Sequence, residues 1–284
     1  MRNLFFRILV FVVGIPGLVF LVLSGRENSN FAFHLLVVAS SAIGAAELGR
    51  IFEKRIAAYR GSAVLLPVMG GSLPIGAMLV VHRDLPADLF LGVIVAFFGL
   101  ILASQCFRTR EEHFDAILPL VSAHAAILLY PGLFLAYVIR LSLFPDASEL
   151  LLVLIGAVYL NDAGAYVAGM LFGKNSRKLL PISPKKSLVG FVFGFLVSPG
   201  VILAARALRP GLFPGPAWVA VLFGVAIGTA TILGDLAESA LKRSATVKDS
   251  GQIIPGRGGI LDSIDSPLFA APVFFYLYAP LFLQ

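Results

Sequence analysis

The residues able to do chemistry lie in two polar stretches of an otherwise apolar chain. Nine charged residues of both signs fall between Asp235 and Asp265, in a sequence that is 58% hydrophobic and only 13% charged. The stretch "GDLAESALKR" closes an apolar run, and helical spacing sets Asp235, Glu238, Ser239 and Lys242 along one side at i, i+3, i+4 and i+7. Further on, "PGRGGILDSIDS" offers a glycine-rich turn at Gly258 and Gly259 where backbone amides can approach an anion. Asp262 and Asp265 follow three apart, on one face if the segment is helical. Asp235, Asp262 and Asp265 can then meet at one point. Hard carboxylate oxygens of this kind suit Mg²⁺, which takes one or two carboxylates and fills its shell with water and substrate phosphates. Lys242, Arg243, Lys248 and Arg257 would face the phosphate oxygens. A solvated loop with incidental ion pairs does not account for acids and bases alternating around glycines at the end of an apolar run.

The second stretch runs from Asn161 to Gly194, "NDAGAYVAGMLFGKNSRKLLPISPKKSLVGFVFG". Asp162 lies inside an apolar run, where an ionised carboxylate costs at least about 2.5 kcal/mol unless a cavity or partner compensates it. Tyr166 and Gly169 follow one and two turns on, so acid, phenol and a backbone gap share a helical face. Small residues at 163, 164, 165 and 168 equally suit a face where helices approach closely. Beyond them, Lys174, Ser183, Lys185, Lys186 and Ser187 could hold phosphates, with the next helix presenting free N–H groups. A plain anchor at the membrane border explains those lysines about as well.

These parts suit phosphoryl or nucleotidyl transfer, which asks for positioning, metal ions and cations on the leaving group. Nucleophilic acyl chemistry has no support, because His34, His82, His113 and His124 all lie outside both stretches. The single cysteine, Cys106, excludes an internal disulfide, and no Cys/His set has zinc spacing.

The elements that must position these residues are membrane helices. Apolar runs of about 20 residues mark spans, and they recur near 4 to 24, 31 to 52, 62 to 81, 86 to 105, 114 to 140, 149 to 172, 187 to 206, 217 to 234 and 267 to 283. The expected fold is all-α: a single polytopic integral-membrane domain over 1–284 with about nine transmembrane helices. Residues 1–140 form a scaffold and 149–284 a catalytic half. Pro131-Gly132 could divide the fifth span into two half-length pieces. The loops that would share one face hold 15 of the 22 Lys and Arg residues. The positive-inside rule therefore puts both polar stretches in the cytoplasm and the N-terminus outside. A net charge of +6 reflects that asymmetry, and no nucleic-acid partner is read from it. No fixed period or linker suggests an inverted-repeat transporter. The short aromatic last helix fits a lipid-facing or a dimer-facing span equally.

Together the two stretches resemble the phosphatidate cytidylyltransferase family, also called CDP-diacylglycerol synthases. Its C-terminal signature runs approximately S-x-hydrophobic-K-R, four residues, K-D, then a proline, H-G-G, a hydrophobic residue and x-D-R-hydrophobic-D. Here it stands as "SALKRSATVKDSGQIIPGRGGILDSIDS", Ser239 to Ser266. The upstream block looks like the family's D-x-x-A-Y, F-G-K and S-P-x-K-(S/T). The sequence departs at two places: Arg257 stands where the family carries His, and Ser263 where it carries Arg.

The resemblance implies a multi-helix enzyme of the bacterial inner (cytoplasmic) membrane that condenses CTP with phosphatidic acid, using Mg²⁺ and often a monovalent cation such as K⁺. It implies metal ligation by Asp235, Asp262 and Asp265, phosphate contacts from Lys242 and Arg243, and loop shaping by Lys248 and Asp249. Asp162, Tyr166, Ser183, Lys185 and Lys186 would belong to the nucleotide side. The alternatives are a CTP-dependent transferase acting on an isoprenoid lipid phosphate, a catalytically weakened paralogue suggested by Arg257 and Ser263, and a cation transporter built on Asp162.

Overall fold

The computed structural model describes residues 2–107, 111–173, 180–184 and 186–283, with side chains described from Val12 onward and not at 111–113. Helices dominate: α1 (Arg2–Ser24), α2 (Phe31–Arg55), α3 (Leu65–Arg83), α4 (Asp88–Gln105), α5 (Phe114–Leu143), α6 (Ala147–Phe172), α7 (Leu188–Leu208), α8 (Ala217–Ser244) and α9 (Leu261–Phe282). Among the described residues the eight from α2 to α9 are long and apolar enough to cross a membrane, and α1 adds a ninth helix of 23 residues.

The fifth span does not split at Pro131. It stays continuous through a π-helical turn over Leu128–Phe134, which lets the chain carry a residue that has no N–H to donate. A neighbour settles the carbonyls there: the buried Ser41 hydroxyl of α2 lies 2.7 Å from both the Gly70 and the Pro131 carbonyl oxygens. Such side-chain repair is what makes proline tolerable inside a membrane helix.

Two further departures from the apolar runs matter more. The eighth run ends at 234, yet α8 continues to Ser244. At 1.5 Å per residue its 28 residues reach about 42 Å, longer than the roughly 30 Å hydrocarbon layer. The polar turns from Asp235 to Lys242 are thus a rigid extension of a spanning helix. The last helix likewise starts at Leu261 rather than 267, so Asp262 and Asp265 occupy its first two turns.

The chain packs as two compact units, one formed by residues 1–143 and 244–264, the other by residues 144–243 and 265–284. In the first, α2 and α3 pack so closely that a Cβ on Gly70 would lie 2.4 Å from the Ala45 Cβ and 2.7 Å from the Ser41 oxygen. His34, fully buried, forms a hydrogen-bonded chain with His82 and Ser142, each 2.9 Å away. Tyr59, in the loop after α2, lies against His124 with the rings tilted by 45°, and burial together with Glu53 pushes its phenol above the usual range.

In the second unit, α6 and α7 meet through small residues. A Cβ on Gly190 would stand 2.7 Å from the Ala165 oxygen, and one on Gly164 2.8 Å from Val197. Asn161 donates to Ser198 at 2.9 Å, and Ser198 donates to the Ala157 carbonyl at 2.9 Å, a buried polar clasp between the two helices. Close backbones and short interhelical hydrogen bonds are how helices associate where the solvent is as apolar as leucine.

Candidate active site

The second unit gathers acids from three helices. Asp265, on α9, is buried at 7% exposure and lies in the electrostatic field of Asp235 and Glu238 on α8, of Asp162 on α6, and of the Lys242 ammonium. Lys242 pairs with the fully buried Glu238 one turn back, Nζ to Oε2 at 2.5 Å. Lys186, just before α7, forms an ion pair with Asp235. Ser239 completes the ridge on α8, its hydroxyl 3.4 Å from Asp235 Oδ1. The spacing argument for Asp235, Glu238, Ser239 and Lys242 therefore describes a real helical side.

Charge and packing at this cluster explain each other. Four carboxylates, Asp162, Asp235, Glu238 and Asp265, face two ammonium groups, Lys186 and Lys242; Glu238, Asp265 and Lys242 are buried, and the other three are half-buried. Like charges gathered in a poorly hydrated place repel strongly. A divalent cation would offset the surplus, so the donor set fits one. Among the described residues no three His, Cys, Asp or Glu side chains converge on one point. An ion held there takes one or two carboxylates and completes its shell with water and phosphate, as a hard divalent cation does.

Gly234 sets how closely α8 and α9 approach. A Cβ there would lie 2.4 Å from the Asp265 carbonyl oxygen and 3.1 Å from the Ser266 Cα. The obstacle is backbone, so it cannot swing away. Gly234→Ala is expected to cost about 1–3 kcal/mol of stability, read as a lower melting temperature in detergent, and to displace Asp265 enough to remove turnover. A variant with wild-type melting and turnover would show that the helices part here without consequence.

The first unit holds the other half of the polar sequence. The segment from Ile254 to Gly258 folds into a tight turn, with the Ile254 amide donating to the Gly258 oxygen at 2.8 Å. Gly256 at φ 76° and Gly258 at φ 116° supply the left-handed backbone it requires. Asp262 draws this turn together. Its Oδ2 accepts from the Ser250 amide at 2.8 Å, the Ser250 hydroxyl at 2.8 Å and the Gly259 amide at 2.7 Å. Sequence spacing could not reveal that this aspartate organises its own glycine loop. Lys248 and Asp249 are exposed beside it, and Arg257 is half-buried.

The remaining sequence-derived residues divide by position. Tyr166 shares the α6 face with Asp162 but is 56% exposed. Ser187 is the N-cap of α7, its hydroxyl accepting from the Gly190 amide at 3.2 Å. Ser183 lies half-buried in the turn before it, its carbonyl accepting from the Lys186 amide at 3.1 Å. Arg243 is exposed at the end of α8. Lys185 and Lys174 fall outside the described residues.

One buried acid was missed. Glu47, fully buried on α2, accepts from the Ile260 amide at 3.2 Å, the Leu261 amide at 2.8 Å and the Ser250 hydroxyl at 3.1 Å. The signal was present in "AIGAAELGRIF": an acid inside an apolar run needs a partner, the same argument that singled out Asp162.

Long apolar helices with a carboxylate and ammonium cluster on their polar extensions define a multi-pass membrane protein with a site for charged substrates. The chain belongs to the cytidylyltransferase family, whose model matches residues 5–281. It is similar to the phosphatidate cytidylyltransferase of Bacillus subtilis, 32% identical over 283 residues that cover 96% of this chain and 97% of that protein. The Synechocystis phosphatidate cytidylyltransferase is 33% identical over 64% of this chain and 70% of its own length. The Helicobacter pylori phosphatidate cytidylyltransferase is 34% identical over 61% of this chain and 60% of its own length.

Proposed function

We propose that this chain transfers the cytidylyl group of CTP to phosphatidate, giving CDP-diacylglycerol and pyrophosphate. The observation that carries the reading is the four-carboxylate, two-ammonium cluster around Asp265, set in a chain that matches its family almost end to end. A phosphate oxygen of the lipid attacks the α-phosphorus of CTP. The new P–O bond forms as the bond to the β-phosphate oxygen breaks, and pyrophosphate leaves with that electron pair. The attacking phosphate is already ionised near neutral pH, so no strong general base is required.

Asp235 and Asp265 would hold divalent metal, Mg²⁺ by the chemistry of the donors, which when bound neutralises charge on the triphosphate, while Asp262 holds its own glycine loop. A monovalent cation such as K⁺ fits the same carboxylate surplus. Lys186 and Lys242, held by Asp235 and Glu238, and Arg243 supply positive charge toward the phosphate oxygens. Lys248, Asp249 and Arg257 flank the glycine turn and contribute to nucleotide binding. Lys185 and Tyr166 are assigned to the nucleotide and cavity side.

The distribution of Lys and Arg supports a cytoplasmic site and an outward N-terminus in the bacterial inner membrane, where CTP arrives from water and the acyl chains stay in the bilayer. The whole chain acts as one catalytic domain, and a homodimer fits its aromatic last helix.

Purified protein with Mg²⁺, labelled CTP and a panel of lipid phosphates tests this. The expected result is CTP-dependent pyrophosphate release with a labelled product that co-migrates with CDP-diacylglycerol only when phosphatidate is supplied. Label moving to an isoprenoid phosphate instead would change the acceptor. Ion flux into liposomes with no nucleotide turnover would end the enzyme reading.

A further inference from the structure

We infer that Glu47, a residue of the second helix far in sequence from both polar stretches, is a positioning residue for the transfer reaction: it fixes the glycine loop and the start of α9 that carries Asp262 and Asp265. The inference rests on the proposed cytidylyl transfer and names a residue in it that neither motif contains.

Three observations converge on Glu47. First, its carboxylate accepts from the backbone amides of Ile260 at 3.2 Å and Leu261 at 2.8 Å, at the N-terminus of α9. Initial helix amides have no intrahelical acceptor, and a cap normally comes from a residue just upstream. Here it comes from another helix, 213 and 214 positions away in the chain. The negative charge also sits at the positive end of the α9 dipole.

Second, Glu47 shares one hydroxyl with Asp262. Ser250 Oγ lies 3.1 Å from Glu47 Oε2 and 2.8 Å from Asp262 Oδ2. A serine has a single hydroxyl proton, so it serves one carboxylate at a time. The two acids stay close because amides from the loop and the helix start, those of Ser250, Gly259, Ile260 and Leu261, balance their charge. Removing either acid leaves buried donors facing nothing.

Third, the glycines fit this carboxylate. A Cβ on Gly251 would stand 2.3 Å from Glu47 Oε1, and one on Gly259 2.3 Å from both Glu47 Oε2 and Ser250 Oγ. Neither glycine has a positive φ. Their small size, rather than backbone freedom, is what the position requires. Two glycines of the signature loop are thus shaped around an acid that the signature does not include.

The physical consequence is rigidity where transfer needs it. A catalytic group misplaced by 1 Å can cost about 10²-fold in rate. A helix start docked on a buried charge does not wander by that much. Glu47→Gln keeps shape and volume but replaces one accepting oxygen with an NH₂ that opposes a donor. It is expected to lower kcat by about 10²-fold while the lipid-phosphate KM stays within a few-fold.

Hydrogen exchange reads the same contact without relying on turnover. In Glu47→Gln the amides from 259 to 262 exchange faster, and those of α6 and α7 do not. Should Glu47→Gln fail to insert, Gly251→Ala presses on the same carboxylate from the loop side with the charge retained. It is expected to give the same kcat loss and the same local exchange. Wild-type kcat and wild-type exchange in either folded variant overturn the inference. So does a loss of activity that merely tracks the folded fraction, since a scaffold role would leave kcat per folded molecule unchanged. A wild-type protein with no cytidylyl transfer sinks the proposed function instead, and the exchange comparison then still decides whether Glu47 orders this loop.

Discussion

Asp265→Asn lowers CDP-diacylglycerol formation by about 10³-fold and leaves the protein at least as stable as before. The two halves of that expectation have one cause. Asp265 is buried and faces three other carboxylates, with Lys242 as the opposing charge in its field. Without substrate and metal the crowding is unfavourable, and the neutral, isosteric amide relieves repulsion without opening a cavity. With a divalent cation and a triphosphate in place, the same carboxylate becomes the negative partner the cation requires. Strain kept in the resting site for use during turnover is a common origin of stability and activity trading against each other. The measurement is a pair: turnover with saturating CTP and phosphatidate, and the thermal midpoint in the same detergent without ligands. Asp146→Asn, just before α6 in an exposed pairing with Arg209 at 3.7 Å, is the control and should change neither by more than about twofold, since exposed ion pairs contribute little. An Asp265→Asn protein that melts several degrees lower and retains turnover would assign the residue to packing.

Helix count and the polar ridge on α8 were legible because both are periodic. Apolar runs of spanning length appear in one dimension, and Asp235, Glu238, Ser239 and Lys242 needed only the i, i+3, i+4, i+7 rule to be placed on one side. Where the apolar pattern stops, the sequence misleads about the helix. Hydropathy ended the eighth span at 234 and opened the ninth at 267, yet backbone hydrogen bonding carries α8 to Ser244 and starts α9 at Leu261. A membrane helix ends where its backbone groups find other partners, and that need not coincide with the end of its apolar side chains. The π-turn at Pro131 has the same origin. Proline suggests a break, but the Ser41 hydroxyl on another helix accommodates the local carbonyls.

Long-range pairings were the part that spacing could not supply. Glu47 meets Leu261 across 214 positions, and Lys186 meets Asp235 across 49. What the sequence did offer was the cost: an acid in an apolar run must be compensated. That rule was applied to Asp162 and would have found Glu47 as well. Ser187 shows a local role that spacing did not single out. Its hydroxyl sits in a phosphate-like motif, but its observed partner is the Gly190 amide, the ordinary work of a helix cap.

Lys242 is where structural and chemical roles are most entangled, and a double substitution separates them. The side chain is 11% exposed and its ammonium lies 2.5 Å from Glu238, which is fully buried. Lys242→Met removes the partner of a buried charge, a change that typically costs about 3–5 kcal/mol. The single variant is therefore expected to lose both stability and turnover, and by itself would not say which loss came first. Glu238→Gln added to Lys242→Met takes the orphaned charge away, so most of the lost stability should return. Turnover should not return, because the phosphate oxygens still lack the ammonium. Thermal midpoint and kcat on the wild type, the two single variants and the double variant complete a cycle whose two readouts move independently. If kcat recovered in step with stability, Lys242 would serve only to neutralise Glu238, and the positive charge needed for transfer would have to come from Lys186 and the arginines. The i, i+4 pair on α8 would then be a structural clasp beside the site, with Asp235 and Asp265 left as its chemically active acids.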